Sequence, residues 1–236
     1  ESMASCNLCA NCLKTCPNDS IQLTTRVPSQ GLWAIRKPKF EESFLAVIIM
    51  GIVFVQNITM LEVWQELLMK LENFMGTTNY FITFTITFII AMSIPVLALF
   101  ASSFLAKIFN KQSTVQIFAN FGYALIPLDL AGHIAHNLFH LLAEGKSVLY
   151  TFLGLFGVDT HGASTAILNN SAIQILQFGL IALGTFASIY AAYRISQHKF
   201  EAEGKTLASF IPFAVLSVIL GIINIYLFIL PMAMRM

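Results

Sequence analysis

Charged residues are scarce in this chain. Only 11% of the 236 residues are Asp, Glu, Lys or Arg, whereas 57% are hydrophobic. Soluble domains carry about 25% charged residues, so this composition excludes an ordinary soluble domain and indicates a membrane protein. The net charge of +1 and the lack of Lys/Arg runs with interleaved aromatic residues argue against a nucleic-acid partner.

The chain has only four cysteines, and all four fall in one short segment. Cys6, Cys9, Cys12 and Cys16, followed by Pro17, have the order Cys-x2-Cys-x2-Cys-x3-Cys-Pro. This order binds iron–sulfur clusters in bacterial-type ferredoxins. Four thiolates also suit a structural zinc ion, which is the alternative. The three-residue last gap and the trailing proline favour a 4Fe-4S cluster with these four cysteines as its metal ligands.

The chain has no second cysteine run. In two-cluster ferredoxins the fourth cysteine of such a run binds the other cluster, so Cys16 would belong to a cluster whose remaining ligands lie elsewhere. Three arrangements stay open: a second run upstream of Glu1, a run on a partner subunit, or a single cluster closed by Cys16. We expect the first of these, which would make two clusters, whereas closure by Cys16 would make one. Reduced thiolates also predict that this segment faces the cytoplasm.

Long apolar runs dominate the rest of the chain. A spanning helix needs about 20 mostly apolar residues, and five segments qualify: Phe44 to Leu61, Tyr80 to Ile108, Val115 to Leu142, Ile173 to Tyr193 and Leu207 to Ala233. The sequence therefore predicts an all-α polytopic membrane protein. Residues 1–43 would form a cytoplasmic ferredoxin-like segment with a basic linker, and residues 44–236 a membrane domain of about five helices.

Two segments between the spans have a different character. Gln56 and Asn57 interrupt the first apolar run, and the stretch from Leu61 to Phe74 is amphipathic, which predicts a helix along the outer surface. The stretch from Val148 to Phe156 is apolar but too short to span, so we interpret it as re-entrant or interfacial.

The head segment carries a short predicted strand, Ile21 to Thr25, and then Trp33 ahead of the basic linker Arg36-Lys37-Pro38-Lys39. An indole followed by basic residues before a span is typical of an interfacial anchor. With the head inside, ten Lys and Arg residues lie on the inner side. Only Lys70, Lys146 and Arg235 lie outside. This bias satisfies the positive-inside rule and leaves the C-terminus outside.

The third span contains a second cluster of polar and ionisable residues: Asp129, His133, His136, Asn137, His140 and Glu144. At about 100° per residue, Asp129, His133 and His140 fall within about 40° of one another on a helix. Ionisable residues inside a membrane segment usually face protein or water. The stripe is therefore a candidate site.

Four interpretations of this stripe remain open. The first is quinone or proton exchange, in which Asp129 orients a histidine. Others are a b haem, for which His161 in the outer loop could face His136 or His140 while His198 lies on the inner side, and a metal ion shared by His136 and His140. The last is an interhelical hydrogen-bond network without redox chemistry.

The cysteine run, the following Asn18-Asp19-Ser20-Ile21, the basic linker and the histidine-bearing helix resemble membrane-bound ferredoxin-type 4Fe-4S electron-transfer proteins. Such proteins occur with periplasmic nitrate reductase, nitrous oxide reductase maturation and methylamine oxidation systems. The specific likeness covers only Cys6, Cys9, Cys12 and Cys16. Those proteins typically carry two cysteine runs, and this chain shows one. The resemblance implies electron transfer between a cytoplasmic or quinone donor and a redox protein across the membrane.

Together these patterns predict a membrane electron-transfer subunit, an oxidoreductase component rather than a stand-alone enzyme. The expected location is the inner membrane of a prokaryote. The expected partners are membrane lipid and other redox subunits, with a cytochrome on the outer side as one candidate. The alternative is an assembly or docking protein with a structural cluster. A transporter or sensor using Asp129 and His133 is a third hypothesis.

Overall fold

The computed structural model describes residues 7, 9–18, 29–109, 112–160, 162–199 and 203–230. Within these ranges the fold is all-helical. The helices are α1 (Asn11–Thr15), α2 (Gln30–Trp33), α3 (Phe40–Ile58), α4 (Glu62–Met75), α5 (Tyr80–Lys107), α6 (Thr114–Phe121), α7 (Ile126–Glu144), α8 (Lys146–Gly154), α9 (Asn170–Lys199) and α10 (Glu203–Ile229). The predicted strand from Ile21 to Thr25 lies outside the described residues.

Among the described residues, five helical segments are long and apolar enough to cross a membrane, as predicted. They are Phe40–Ile58, Tyr80–Lys107, Thr114–Glu144, Asn170–Lys199 and Thr206–Ile229. The third combines α6 and α7 through a 3-10 turn at Gly122–Leu125. Pro127 lies in the first turn of α7, where its missing N–H removes no intrahelical bond.

The spans alternate in direction, which defines two faces of the membrane domain. At one face α3 and α6 begin and α5 and α9 end. We call it the head face, because it adjoins the linker from the cysteine segment. The far face holds the ends of α3 and α7 and the start of α9. α4 follows α3 there and buries Trp64 and Leu68, which agrees with the predicted surface helix. α8, in the segment predicted to be too short to span, buries no residue.

Close helix contacts hold the bundle together. α9 packs along α7 on one side and α10 on the other. At the first contact, a Cβ on Gly184 would lie 2.4 Å from Cβ of Ala131 and 3.0 Å from the carbonyl oxygen of Pro127. Membrane helices gain little from hydrophobic burial against one another, and small residues allow them to pack closely instead.

Trp33 attaches the linker to the bundle. Its ring is 7% exposed, stands edge-on to Tyr190 at 5.5 Å and lies 5.6 Å from the guanidinium of Arg194. Both partners belong to α9. Trp33 therefore attaches the linker to α9, and its role as an interfacial anchor stays a prediction.

Candidate functional site

The cysteine segment contains the short helix α1: Cys9 precedes the helix, Cys12 lies within it and Cys16 is its C-cap. Cys9 and Cys12 are exposed and Cys16 is half-buried, while Cys6 lies outside the described residues. Ala10, between the first two, adopts a left-handed backbone conformation with φ of 59°, so the chain turns sharply just before α1. The donor set is chemically suited to iron or zinc, since all four side chains are thiols.

The described cysteines are not gathered around one point. Among the residues that the structure describes, no group of three or more His, Cys, Asp or Glu side chains is placed to hold a metal ion. Binding of a cluster by Cys6, Cys9, Cys12 and Cys16 therefore remains a prediction.

The polar stripe of the third span lies on α7, between the middle of the membrane domain and the far face. Asp129 is buried, and its Oδ1 lies 4.0 Å from Nε2 of His133. This separation is longer than a hydrogen bond. No described residue donates a hydrogen bond to that oxygen. A buried carboxylate oxygen without a donor is costly in a structural role, which marks Asp129 as a functional candidate.

His136 is fixed by a residue of another span. Its Nδ1 lies 2.8 Å from Oδ1 of Asn57 on α3. In the tautomer with its proton on Nδ1, His136 donates to Oδ1 of Asn57, because an amide oxygen only accepts hydrogen bonds. The lone pair of the neutral ring is then on Nε2. Asn57 was noted in the sequence only as an interruption of the first apolar run.

The remaining polar residues of the stripe serve different purposes. His140 places Nδ1 3.4 Å from Oε2 of Glu144, and its ring stands edge-on to that of His136 with centroids 5.0 Å apart. Asn137 is exposed, and its amide donates to the carbonyl of His133 in its own helix. The structure thus pairs the histidines along α7 and leaves Asn137 outside the site.

A small cavity adjoins His136 near the far face. Its volume is 30 Å³, enough for one water molecule. Three lining residues are polar, Asn57, His136 and Gln177. Gln177 is fully buried and donates to the carbonyl of Ala135. Asn57 is 5% exposed, and its Nδ2 has no hydrogen-bond partner among the described residues. In the sequence, Gln177 is one of two glutamines, with Gln174, near the start of an apolar run.

The haem and metal interpretations gain nothing from this geometry. His198 is exposed at the head-face end of α9, at the opposite end of the bundle from His136 and His140, and His161 lies outside the described residues. His136 and His140 are in ring contact, but no third ligand joins them among the described residues.

Comparison of the chain with protein-family models, with curated proteins and with solved structures finds no match.

Proposed function

We propose that this chain is a membrane electron-transfer subunit whose cysteine segment holds one or two 4Fe-4S clusters. The observation that carries the proposal is the Cys-x2-Cys-x2-Cys-x3-Cys-Pro run joined to a five-span membrane domain. A cluster supplies one-electron exchange when bound. The residues of the chain bind it through Cys6, Cys9, Cys12 and Cys16 and hold it beside the head face. The bias of Lys and Arg supports a cytoplasmic orientation of this face, and the inner membrane of a prokaryote is the proposed location.

The stripe on α7 is proposed as the place where protons accompany the electrons. Because Asn57 accepts the Nδ1 proton of His136, that ring takes up and releases a proton at Nε2 alone. Asp129, buried next to His133, provides a carboxylate that can change its charge within the span. A quinone is the membrane-soluble partner whose reduction consumes electrons and protons together. We therefore rank quinone or proton exchange above haem binding at this site.

The distance between the cysteine segment and the far end of α7 is too long for a single electron-transfer step. About 30 Å of hydrocarbon separates the two faces, and α7 alone rises about 22 Å from Asp129 to Glu144. The proposal therefore includes a further relay between the cysteine segment and the far end of α7. This relay is either another cofactor or a partner redox subunit.

Anaerobic purification with metal analysis tests the cluster. We expect about four iron atoms and as much acid-labile sulfide for each cluster, with broad absorbance at about 400 nm that bleaches on reduction. Zinc in place of iron would show a structural site instead. A chain that contains neither iron nor sulfide after anaerobic reconstitution contradicts the proposal.

An assembly or docking role is the second candidate. It is favoured by α1, which buries none of its side chains and so leaves the cysteine segment accessible to another subunit. The substitution Cys9→Ser separates the two functions. An electron-transfer subunit should lose electron flow while its complex remains intact, whereas a docking protein should dissociate from the complex. Asn11→Ala, which changes an exposed residue of α1, is the matched control.

A further inference from the structure

A polar pocket of 390 Å³ opens at the head face, separate from the stripe on α7. It is lined by Pro38, Gln112, Gln116, Ala119, Asn120 and Lys199. Pro38 precedes the start of α3, the residues from Gln112 to Asn120 surround the start of α6, and Lys199 ends α9. Three spans therefore reach the same boundary at this pocket. Its volume is in the range of small-molecule sites.

Lys199 is the one charged side chain among the described residues that line the pocket, and backbone carbonyls hold it in place. Its Nζ donates to the carbonyl oxygen of Ile35 at 3.3 Å and to that of Arg36 at 3.2 Å. An ammonium group has three donors, so one is left for a ligand. Among the side chains that the structure describes, no carboxylate lies within 4.0 Å of this nitrogen. The positive charge at the pocket is thus held in position by two backbone carbonyls.

The amide side chains make the rest of the pocket polar. Asn120 is buried, and its Nδ2 donates to Oε1 of Gln112 at 3.1 Å. Gln116 accepts from the backbone N–H of Ser113 through its Oε1, which leaves its two amide hydrogens available. A fixed cation next to amide donors is suited to an anion with several acceptor oxygens.

We propose that this pocket binds the phosphate-bearing headgroup of an anionic phospholipid. The span ends place the pocket where the hydrocarbon meets water, and basic pockets between spans at this level bind anionic headgroups. Val115, next to Gln116, is 51% exposed and offers an apolar surface to the acyl chains. Lipid binding here requires neither a cluster nor electron transfer.

Native mass spectrometry of the delipidated full chain in detergent tests the site, with added phosphatidylglycerol or zwitterionic phosphatidylcholine. The wild-type chain should retain one phosphatidylglycerol more tightly than phosphatidylcholine. Lys199→Gln should weaken phosphatidylglycerol binding about fivefold, the usual effect of one Lys near the membrane surface. Lys199→Arg, which keeps the charge, should bind like wild type.

Lys107→Gln is the matched control, because Lys107 is an exposed lysine that ends α5 at the same face and does not line the pocket. Equal loss in Lys107→Gln and Lys199→Gln, or equal retention of both lipids by the wild type, overturns the proposal. The lipid comparison on the wild-type chain decides even if Lys199→Gln does not fold. Displacement of phosphatidylglycerol by millimolar inorganic phosphate would show a site for free phosphate and would also overturn it.

Discussion

Nδ1 of His136 and Oδ1 of Asn57 lie 2.8 Å apart and join two spans across 79 positions of sequence. The hydrogen bond connects the far end of α3 to α7 next to a cavity that Gln177 of α9 also lines. With Leu227 and Phe228 of α10, four spans therefore meet at this cavity beside the imidazole, which bonds to an amide that does not titrate. This relationship gives the stripe on α7 a defined geometry.

Asn57→Leu should destabilise the membrane domain, because it removes the acceptor for the N–H of His136. Hydrogen bonds between membrane helices contribute about 1 kcal/mol, so we expect a loss of that size in the free energy of unfolding. The measurement is unfolding in a mixed detergent titration. Asn137→Leu is the control, since Asn137 is exposed and bonds only within its own helix. Equal effects of the two substitutions would show that the contact between α3 and α7 contributes nothing.

Asp129→Asn should slow proton-coupled electron transfer if the proposed function is right. The amide keeps the size of the carboxylate but cannot gain or lose a proton, and loss of a general acid–base group typically costs about 10²-fold or more in rate. The measurement is the reduction of a water-soluble quinone analogue by the chemically reduced protein, with iron content checked in parallel. Asp159→Asn, an exposed residue outside the spans, should leave the rate unchanged. An unchanged rate in Asp129→Asn would exclude a proton-transfer role for this carboxylate.

Ser188→Ala should also destabilise the fold. The hydroxyl oxygen of Ser188 on α9 accepts from the backbone N–H of Leu128 at 3.0 Å, and both residues are fully buried. This N–H lies in the first turn of α7 and has no acceptor within its helix. Leaving it unpaired should cost about 1–2 kcal/mol in the free energy of unfolding. Ser93→Ala provides the comparison, because the hydroxyl of Ser93 bonds only to the carbonyl of Ile89 in its own helix. A loss no larger than that of the control would contradict the expectation.

Gly184→Ala should push α7 and α9 apart. The added Cβ would lie within 3.2 Å of Ala131, Pro127 and Leu128, and overpacking of this kind costs about 1–3 kcal/mol. Gly179→Ala in the same helix has no atom within 4 Å of the new methyl group and should leave stability unchanged or raise it. The measurement is the midpoint of thermal unfolding in detergent. Equal midpoints for the two variants would show that this crossing is not closely packed.

Span positions were well predicted, and their deviations have electrostatic causes. The second span was expected from Tyr80 to Ile108 and runs Tyr80–Lys107. The first begins at Phe40 rather than Phe44 because Glu41 and Glu42 occupy the first turn of α3, where carboxylates interact favourably with the helix dipole. Glu42 also accepts from the hydroxyl of Tyr123 at 2.7 Å. Hydropathy excludes such charged turns although they are helical.

The candidate site was predicted only in part. Helical periodicity placed Asp129, His133 and His140 on one face of α7, and the structure pairs Asp129 with His133 at 4.0 Å. Periodicity did not identify Asn57 or Gln177, the two polar residues among the described residues of other spans that line the cavity beside His136. The sequence of an apolar run does not show which neighbouring helix a single polar side chain will face. That depends on how the helices pack.

The sequence by itself determined the class of this protein, its five spans, the clustered cysteines and the polar face of α7. Each of these features depends only on residues close together in the sequence. Hydropathy and a helical period of 3.6 residues can be read without knowing which distant residues are in contact. Only the tertiary structure decided that Asn57 accepts from His136, that Trp33 packs on α9 and that Lys199 reaches the carbonyls of the linker. Such pairs depend on how packed helices are rotated and offset against one another, and small residues such as Gly184 set that packing.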